Sequence, residues 1–209
     1  MALFIVFEGG EGCGKSTQAR ALHRHLLQEG QQAILTREPG GTGLGERVRR
    51  HLKRPGGMPI SPLAELFLIE AARAQLVNEV ISPALQAGQA VICDRYTPST
   101  LAYQGYGRGL DLETIRGANG TATGGLSPDL IVLLDIPVEA GLGRKKGRAG
   151  DRFESESLAF HRRVRRGYLE MARADPERWL IVDGRRPRQA IRGTIRERVS
   201  ALRAPGPGA

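Results

Sequence analysis

The chain has 209 residues, 40% of them hydrophobic and 25% charged, and its formal net charge is +9. This length and composition suit one globular domain with a substantial core. No apolar run approaches the length needed to span a bilayer, and the N-terminal run is too short for a signal peptide, which argues against a membrane or secreted protein. The two cysteines, Cys13 and Cys93, lie far apart and lack metal-ligand spacing, so we expect a reduced, cytoplasmic protein.

The positive charge raises the question of a nucleic acid partner. The basic residues are nearly all arginines, they are scattered over the whole chain, and much of the excess falls in 144–166 and 185–203. Small anionic ligands such as nucleotides also explain local arginine clusters. We therefore expect phosphorylated small molecules as ligands, and neither a nucleic acid nor a membrane as a partner.

Apolar runs alternate with helical patterns along the whole chain. The runs predict strands at 3–7, 33–36, 90–94, 130–135 and 179–183. Between and after them we predict helices at 16–29, 43–53, 62–87, 97–105, 111–123, 137–146, 156–174 and 187–202. This alternation predicts an α/β fold, a five-stranded parallel sheet with helices on both faces. One domain would span residues 1–203, and the Pro- and Gly-rich residues 204–209 would form a flexible tail.

Residues 9–16 match the phosphate-loop pattern G-x-x-x-x-G-K-[ST] between the first predicted strand and the first predicted helix. Small residues let backbone N–H groups wrap a triphosphate, and the helix N-terminus adds its positive dipole end. Lys15 would reach the outer phosphates, and the Ser16 hydroxyl would bind Mg²⁺. A glycine-rich turn that binds nothing is the alternative. The predicted ATP-binding residues of this segment are Gly9, Gly10, Glu11, Gly12, Cys13, Gly14, Lys15, Ser16 and Thr17.

Arginines follow several of the predicted strands. In open parallel sheets, ligands bind beyond the carboxyl ends of the strands. Arg37 follows the second predicted strand, Asp94 and Arg95 end or follow the third, and Arg185 follows the fifth. These cations suit a second phosphorylated ligand beside the triphosphate. The Asp94 carboxylate could hold Mg²⁺ opposite the phosphate loop, although a local ion pair with Arg95 is the alternative.

Arg73 lies in the middle of an apolar stripe on the predicted helix 62–87. An arginine among core-facing residues needs an anionic partner, because a buried unpaired charge is very costly. The partner could be an anionic ligand, or a carboxylate such as Glu70 or Glu38.

Short motifs follow one another along the chain in a characteristic order. After the phosphate loop come R-E-P-G-G-T at 37–42, D-R-Y at 94–96, S-T-L-A-Y-Q-G at 99–105, L-L-D at 133–135 and D-R-F-E at 151–154. The ordered set, spread over residues 2–202, resembles the thymidylate kinases of the bacterial type. The resemblance implies a P-loop nucleoside monophosphate kinase fold and the ATP-dependent phosphorylation of dTMP to dTDP, for dTTP synthesis, with Mg²⁺. It also implies a homodimer.

The resemblance further implies where dTMP binds. Arg95 would fork onto the acceptor phosphate, and Tyr103 would lie near the 2′ carbon of the sugar, where its bulk disfavours a ribose hydroxyl. At position 69, where the family usually has a phenylalanine that stacks on thymine, this chain has Ile69, so either Ile69 or the nearby Phe67 would contact the base. The predicted dTMP-binding residues are Glu11, Arg37, Pro39, Phe67, Ile69, Arg73, Arg95, Ser99, Thr100, Tyr103 and Gln104.

Glycines alternate with cations over residues 143–152, which predicts a basic lid at about 143–154. The variable positions of the phosphate loop contain no cation, so phosphoryl transfer needs positive charge from elsewhere. We therefore predict that Arg148 and Arg152 supply it and act with Lys15 and Arg95 in catalysis. A solvated basic loop is the alternative. Adenine would lie between the base of the lid and the loop 183–187. Arg144 and Arg185 are further predicted ATP-binding residues.

Two other functions are compatible with a phosphate loop. One is a kinase for another monophosphate, such as UMP, dUMP or AMP. The other is a nucleic-acid-dependent ATPase, which would hydrolyse ATP in response to DNA or RNA and transfer nothing to mononucleotides.

Overall fold

The apolar runs form one parallel sheet, as predicted. The computed structural model describes residues 2–145 and 150–203, so the predicted tail and Arg148 of the predicted lid lie outside the described residues. The strands are β1 (Phe4–Glu8), β2 (Ala33–Arg37), β3 (Ala90–Asp94), β4 (Leu130–Asp135) and β5 (Trp179–Asp183). They pair in the order β2-β3-β1-β4-β5. All four pairings are parallel, which confirms the predicted α/β fold.

The helices also agree with the predicted segments to within a few residues. They are α1 (Lys15–Gln28), α2 (Gly43–Lys53), α3 (Pro62–Leu76), α4 (Ser82–Gln86), α5 (Thr97–Thr100), α6 (Leu112–Thr123), α7 (Val138–Gly143), α8 (Leu158–Ala174) and α9 (Arg188–Arg203). No helix within the described ranges is both long and apolar enough to cross a membrane.

Two predicted helices contain π-helical segments. Val77–Ile81 separates α3 from α4, and Leu101–Gly107 follows α5. Pro83 lies in the first turn of α4, where its ring would clash with the carbonyl group four residues earlier in a regular helix. The wider turn just before it relieves that clash. The second segment includes Tyr103 and Gln104, and π-helical turns often occur at functional sites.

The sheet is buried on both faces, which explains why its strands are continuous apolar runs. Side chains alternate along β1. Ile5 and Phe7 pack in one cluster with residues of α1 and α9. Phe4 and Val6 pack on the opposite face, with residues at the end of α3 and in the π-helical turn that follows it. A further cluster joins α8 to the π-helical segment 101–107 and to β4.

The strand order brings three loops together. β1 is the central strand, and the connections run first to one side of it and then to the other, which makes its carboxyl end the switch point where ligands bind in such sheets. Asp94 at the end of β3 is paired with both Phe7 of β1 and Arg37 of β2. The segments that follow β1, β2 and β3 therefore begin level with one another.

Candidate active site

The phosphate loop connects β1 to α1, and close backbone packing explains its glycines. Gly12 has a φ of 68°, and a Cβ atom there would lie 2.0 Å from the carbonyl oxygen of Gly141 in α7. Only glycine tolerates both conditions. Lys15 is buried and donates from Nζ to the carbonyl oxygen of Gly10 at 2.7 Å, so its ammonium group lies over the loop.

One cleft of about 1390 Å³ opens above the carboxyl ends of the strands. It exceeds the roughly 300–1,000 Å³ usual for a single small-molecule site, which leaves room for two ligands. The predicted site residues that line it are Glu11, Gly12, Cys13, Gly14, Lys15, Ser16, Thr17, Arg37, Pro39, Ile69, Arg73, Asp94, Arg95, Ser99, Thr100, Tyr103, Gln104 and Arg144. The phosphate loop and the predicted second-ligand residues therefore share one cavity.

Phe67 does not line this cleft. Its ring is 58% exposed on the outer side of α3, whereas Ile69 is 8% exposed and lines the cleft. Residues two positions apart in an α-helix point in nearly opposite directions, so only one of the two can face the ligand. The structure therefore assigns the cleft position to Ile69.

The remaining predicted residues lie around the cleft. Gly9, the first residue of the phosphate loop, is buried, and Gly10 lines a small separate cavity. Arg185 forms an exposed ion pair with Asp183 at 2.8 Å, and it is the neighbouring Arg186 that lines the cleft. Arg152 is paired with a carboxylate of α3, described below.

Arg95 joins β3 to the phosphate loop. Its Nη2 atom donates to Glu11 Oε1 and to the Tyr103 hydroxyl, both at 2.9 Å. Its Nη1 atom donates to the Ser99 hydroxyl at 3.1 Å and the Tyr168 hydroxyl at 3.0 Å. The backbone of Arg95 has a φ of 77°, a left-handed conformation that is uncommon outside glycine and clusters at functional sites. The guanidinium is thus held rigidly at the floor of the cleft.

Glu11 lies within a group of cations. Burial alone would raise the pKa of Glu11, but Arg95, Lys15 and Lys145 together hold this pKa well below its usual range. Lys145 donates to Glu11 Oε2 at 2.6 Å and also pairs with Glu154. The ionised Glu11 carboxylate therefore links the phosphate loop to the base of the predicted lid and to Arg95.

Arg73 is 1% exposed and has two carboxylate partners. Its Nε and Nη2 atoms donate to Glu38 Oε2 at 2.8 and 2.6 Å, and Nη1 donates to Glu70 Oε1 at 2.6 Å. The salt-bridge alternative from the sequence is therefore correct, although Arg73 also lines the cleft. Burial raises the pKa of Glu38 to about 7, because the attraction of Arg73 offsets the desolvation only in part and Glu70 adds repulsion.

Ser16 and Asp94 bring two oxygen atoms that could bind a metal ion close together. The Ser16 hydroxyl donates to the Asp94 carboxylate across the cleft floor. Oxygen atoms of this kind suit a hard divalent cation. Within residues 2–145 and 150–203, no group of three or more His, Cys, Asp or Glu side chains could hold a metal ion. A cation at Ser16 and Asp94 would therefore need further oxygens from a ligand and from water.

Three charged residues that contact the predicted site residues or their neighbours were not predicted from the sequence. Glu8, at the end of β1, is fully buried and accepts from the Tyr168 hydroxyl at 2.7 Å; burial raises the pKa of Glu8. Glu65 of α3 is also fully buried, and Lys145 pairs with Glu11. The signal that could have revealed Glu65 was available: it lies four residues before Ile69, on the same buried side of α3 as Arg73.

The raised pKa of Glu38 predicts that the stability of the protein depends on pH. A carboxyl group whose pKa is higher in the folded protein than in the unfolded chain contributes its full stabilisation at pH values below the unfolded pKa. This contribution is lost as the pH rises through the folded pKa, which is about 7 for Glu38. We expect the unfolding free energy of the wild type, relative to Glu38→Gln, to fall by up to about 3 kcal/mol between roughly pH 5 and pH 8. Urea unfolding at several pH values measures this. The exposed Glu113→Gln is the control, and parallel curves for wild type and Glu38→Gln would contradict the assignment.

Known proteins share both the sequence and the fold of this chain. The family model for thymidylate kinase matches residues 7–195. A thymidylate kinase of Dehalococcoides mccartyi is 52% identical over 202 residues, 97% of each chain, and one of Desulfovibrio desulfuricans is 52% identical over 217 residues, 99% of each chain. The crystal structure of a thymidylate kinase from Ehrlichia chaffeensis superposes with a TM-score of 0.75, at 32% identity, over 96% of this chain and 98% of that one. Because the family model covers most of the chain and these relatives share about half of its residues over nearly its full length, the chain belongs to the thymidylate kinase family.

Proposed function

We propose that this cleft transfers the γ-phosphoryl group of ATP to dTMP and releases ADP and dTDP. Membership of the thymidylate kinase family supports the reaction. The observation that supports its location is that Arg95 and Arg73 line the same cleft as Lys15. Two anionic nucleotides would meet there tail to tail. The same arrangement disfavours a nucleic-acid-dependent ATPase, which needs no second mononucleotide pocket.

The triphosphate would lie in the phosphate loop. Backbone amides of residues 9–16 and the first turn of α1 would surround it, with Lys15 on the outer phosphates. Arg144 donates to the carbonyl oxygen of Gly184 at 3.1 Å and to that of Gly12 at 3.4 Å, so it bridges the lid base and the loop after β5. We place adenine beside this bridge, with Arg186 rather than Arg185 on the cleft side.

The acceptor dTMP would occupy the opposite end. The phosphate of dTMP would replace some of the present hydrogen-bond partners of Arg95. Arg37, which pairs with Glu46 at 3.0 Å, lies at the open edge of the cleft. The base would lie among Ile69, Arg73 and Gln104, and the bulk of the buried Tyr103 ring would disfavour a 2′ hydroxyl. Ile69 offers the thymine ring apolar contact without aromatic stacking.

The acceptor phosphate is itself the nucleophile and is already ionised at neutral pH, so the transfer needs no general base. Catalysis then consists of alignment and charge neutralisation by Lys15, Arg95 and the lid arginines. The donors at Ser16 and Asp94 fit Mg²⁺, which prefers one or two protein oxygens together with substrate phosphates. When bound, Mg²⁺ supplies neutralisation of the developing phosphate charge.

The proposed metal role of Asp94 predicts a change in the Mg²⁺ requirement. Asp94→Asn retains the size of the side chain but removes the charge that attracts the cation, so we expect the Mg²⁺ concentration for half-maximal activity to rise about tenfold or more. Activity titrations with Mg²⁺ at saturating ATP and dTMP measure it. Asp175→Asn, whose carboxylate pairs with Arg178 and does not line the cleft, is the matched control. An unchanged Mg²⁺ requirement in Asp94→Asn would refute the role.

We propose that Arg152 and Arg148 reach the transferred phosphoryl group when the lid closes. Arg152 stands outside the cleft, with its guanidinium paired with Glu65 and 5.6 Å from the centroid of the Phe153 ring. In this position it is close to the acceptor end of the cleft, because Phe153 itself lines that cleft.

Removal of the lid arginine should therefore impair turnover more than binding. We expect Arg152→Ala to lower kcat by about 100-fold or more, with a much smaller change in the KM for ATP, because the lost charge acts in the transition state. Steady-state kinetics measure both constants, and Arg162→Ala, an exposed pair with Glu139, is the control. If kcat were unchanged in both Arg152→Ala and Arg148→Ala, the lid assignment would be wrong.

We also propose that the protein is a homodimer. Leu63 and Phe67 lie one turn apart on α3 and are 45% and 58% exposed, an apolar pair that a second copy of the chain would cover. A cytoplasmic location likewise remains our proposal.

The dimer has a direct test in solution. Sedimentation analysis of the wild type should give twice the chain mass of 22.7 kDa, and Phe67→Asp should give a monomer, since it places a charge in the apolar contact. Leu158→Asp, which alters a similarly exposed leucine on α8, should leave the dimer intact. A monomeric wild type would contradict the proposal.

A further inference from the structure

Glu65 is a fully buried carboxylate on α3 that receives hydrogen bonds from three side chains. Its Oε1 atom accepts from Gln104 Nε2 at 2.7 Å and from Arg108 Nε at 3.2 Å. Its Oε2 atom accepts from Arg108 Nη2 at 3.3 Å and from Arg152 Nη2. The donors come from two segments: the π-helical segment and its end contribute Gln104 and Arg108, and the lid contributes Arg152. One buried charge therefore contacts both the acceptor end of the cleft and the lid.

The charge of Glu65 decides how the Gln104 amide is oriented. A carboxylate paired with two guanidinium groups can only accept hydrogen bonds, so the amide must turn its NH₂ group toward Glu65. The Gln104 carbonyl oxygen is then directed elsewhere. In the described part of the chain, no donor bonds to this oxygen, and Gln104 itself lines the cleft next to Tyr103. The polar atom that Gln104 offers to a ligand is therefore an acceptor.

An acceptor at this place distinguishes between pyrimidines. Thymine and uracil have an N–H donor at ring position N3, whereas cytosine has an unprotonated nitrogen there, which is itself an acceptor. A site built to receive a donor strongly disfavours an analogue that presents an acceptor, because two lone pairs then face each other without a proton.

We propose that Glu65 is a positioning residue that holds the Gln104 amide with its carbonyl oxygen toward the base, and so makes the site select nucleotides with an N3–H donor. The inference rests on the dTMP placement proposed above. Because Glu65 also holds Arg152, the selection of the base and the position of the lid arginine depend on the same carboxylate.

The variant Glu65→Gln tests this directly. An amide at position 65 can donate as well as accept, so the Gln104 amide can turn over and present its NH₂ group to the N3 atom of cytosine. We expect the ratio of kcat/KM for dTMP to that for dCMP to fall about tenfold or more. A merely structural role would lower kcat/KM for both substrates and leave their ratio unchanged.

Two matched variants separate the contact of Glu65 with Gln104 from its contact with the lid. Arg152→Gln removes the lid contact but leaves Gln104 bonded to Glu65, so it should lower kcat without altering the dTMP to dCMP ratio. Glu113→Gln makes the same chemical change at an exposed position, where Glu113 pairs with Arg116, and should alter neither quantity.

The outcomes are distinct. A folded Glu65→Gln with an unchanged ratio overturns the inference. If circular dichroism shows that this variant is unfolded, Glu65→Asp replaces it. Glu65→Asp retains the charge but withdraws the acceptor from Gln104, so its dTMP to dCMP ratio should also fall. An unchanged ratio in Glu65→Asp overturns the inference equally.

A measurement on the wild type needs no variant at all. Methylation of N3 removes the donor, so N3-methyl-dTMP should be a substrate at least about tenfold poorer than dTMP, and equal turnover of the two overturns the inference. If dTMP itself is not phosphorylated by the wild type, the proposed function fails; if it is phosphorylated but the ratio tests fail, only the role of Glu65 is lost.

Discussion

The hydrogen bonding of the Arg95 guanidinium holds the two halves of the active site together. The residue leaves β3 in a left-handed conformation, which costs on the order of 1–3 kcal/mol for a non-glycine residue. Hydrogen bonds to Glu11, Tyr103, Ser99 and Tyr168 offset this cost. Through them the phosphate loop, the π-helical segment and α8 are all positioned on one side chain. A shift in any of these elements would move the cation on which the acceptor phosphate is proposed to bind.

The buried ionisable side chains of this site are held by polar or charged partners. Glu8, Glu38, Glu65 and Arg73 are all nearly or fully inaccessible, and each has partners of opposite charge or several hydrogen-bond donors. Removing one partner of such a pair is far more destructive than removing the pair, because it leaves an uncompensated charge in the interior. The cleft is therefore rigid around the place where the acceptor is proposed to bind. The lid differs: its ionic contacts, such as Lys145 with Glu154 and Arg152 with Glu65, involve partly exposed cations that can exchange partners with a phosphate.

The sequence predicted the fold and the phosphate loop almost completely. Strand bounds agreed to within one residue, since a strand buried on both faces is a continuous apolar run whatever its partners are. Helix positions also agreed, and Pro83 accounts for one of the two π-helical interruptions. The arginine in the apolar stripe of α3 was correctly expected to need a carboxylate or a ligand. The same reasoning applied to Glu65 would have found the other buried charge on that helix.

By itself the sequence determined the sheet, the position of the phosphate loop and the family, because each of these depends on local periodicity or on contiguous and ordered motifs. Only the tertiary structure decided which side chains line the cleft. Ile69 rather than Phe67 lines the cleft, because residues two positions apart in a helix point in nearly opposite directions. In the loop after β5, Arg186 rather than Arg185 lines the cleft. The partners of Arg95 and Glu65 were equally inaccessible from the sequence: Arg95 bonds to Tyr168 across 73 residues of sequence, and Arg152 bonds to Glu65 across 87. Contacts at such separations depend on how the helices pack against the sheet, which no local pattern specifies.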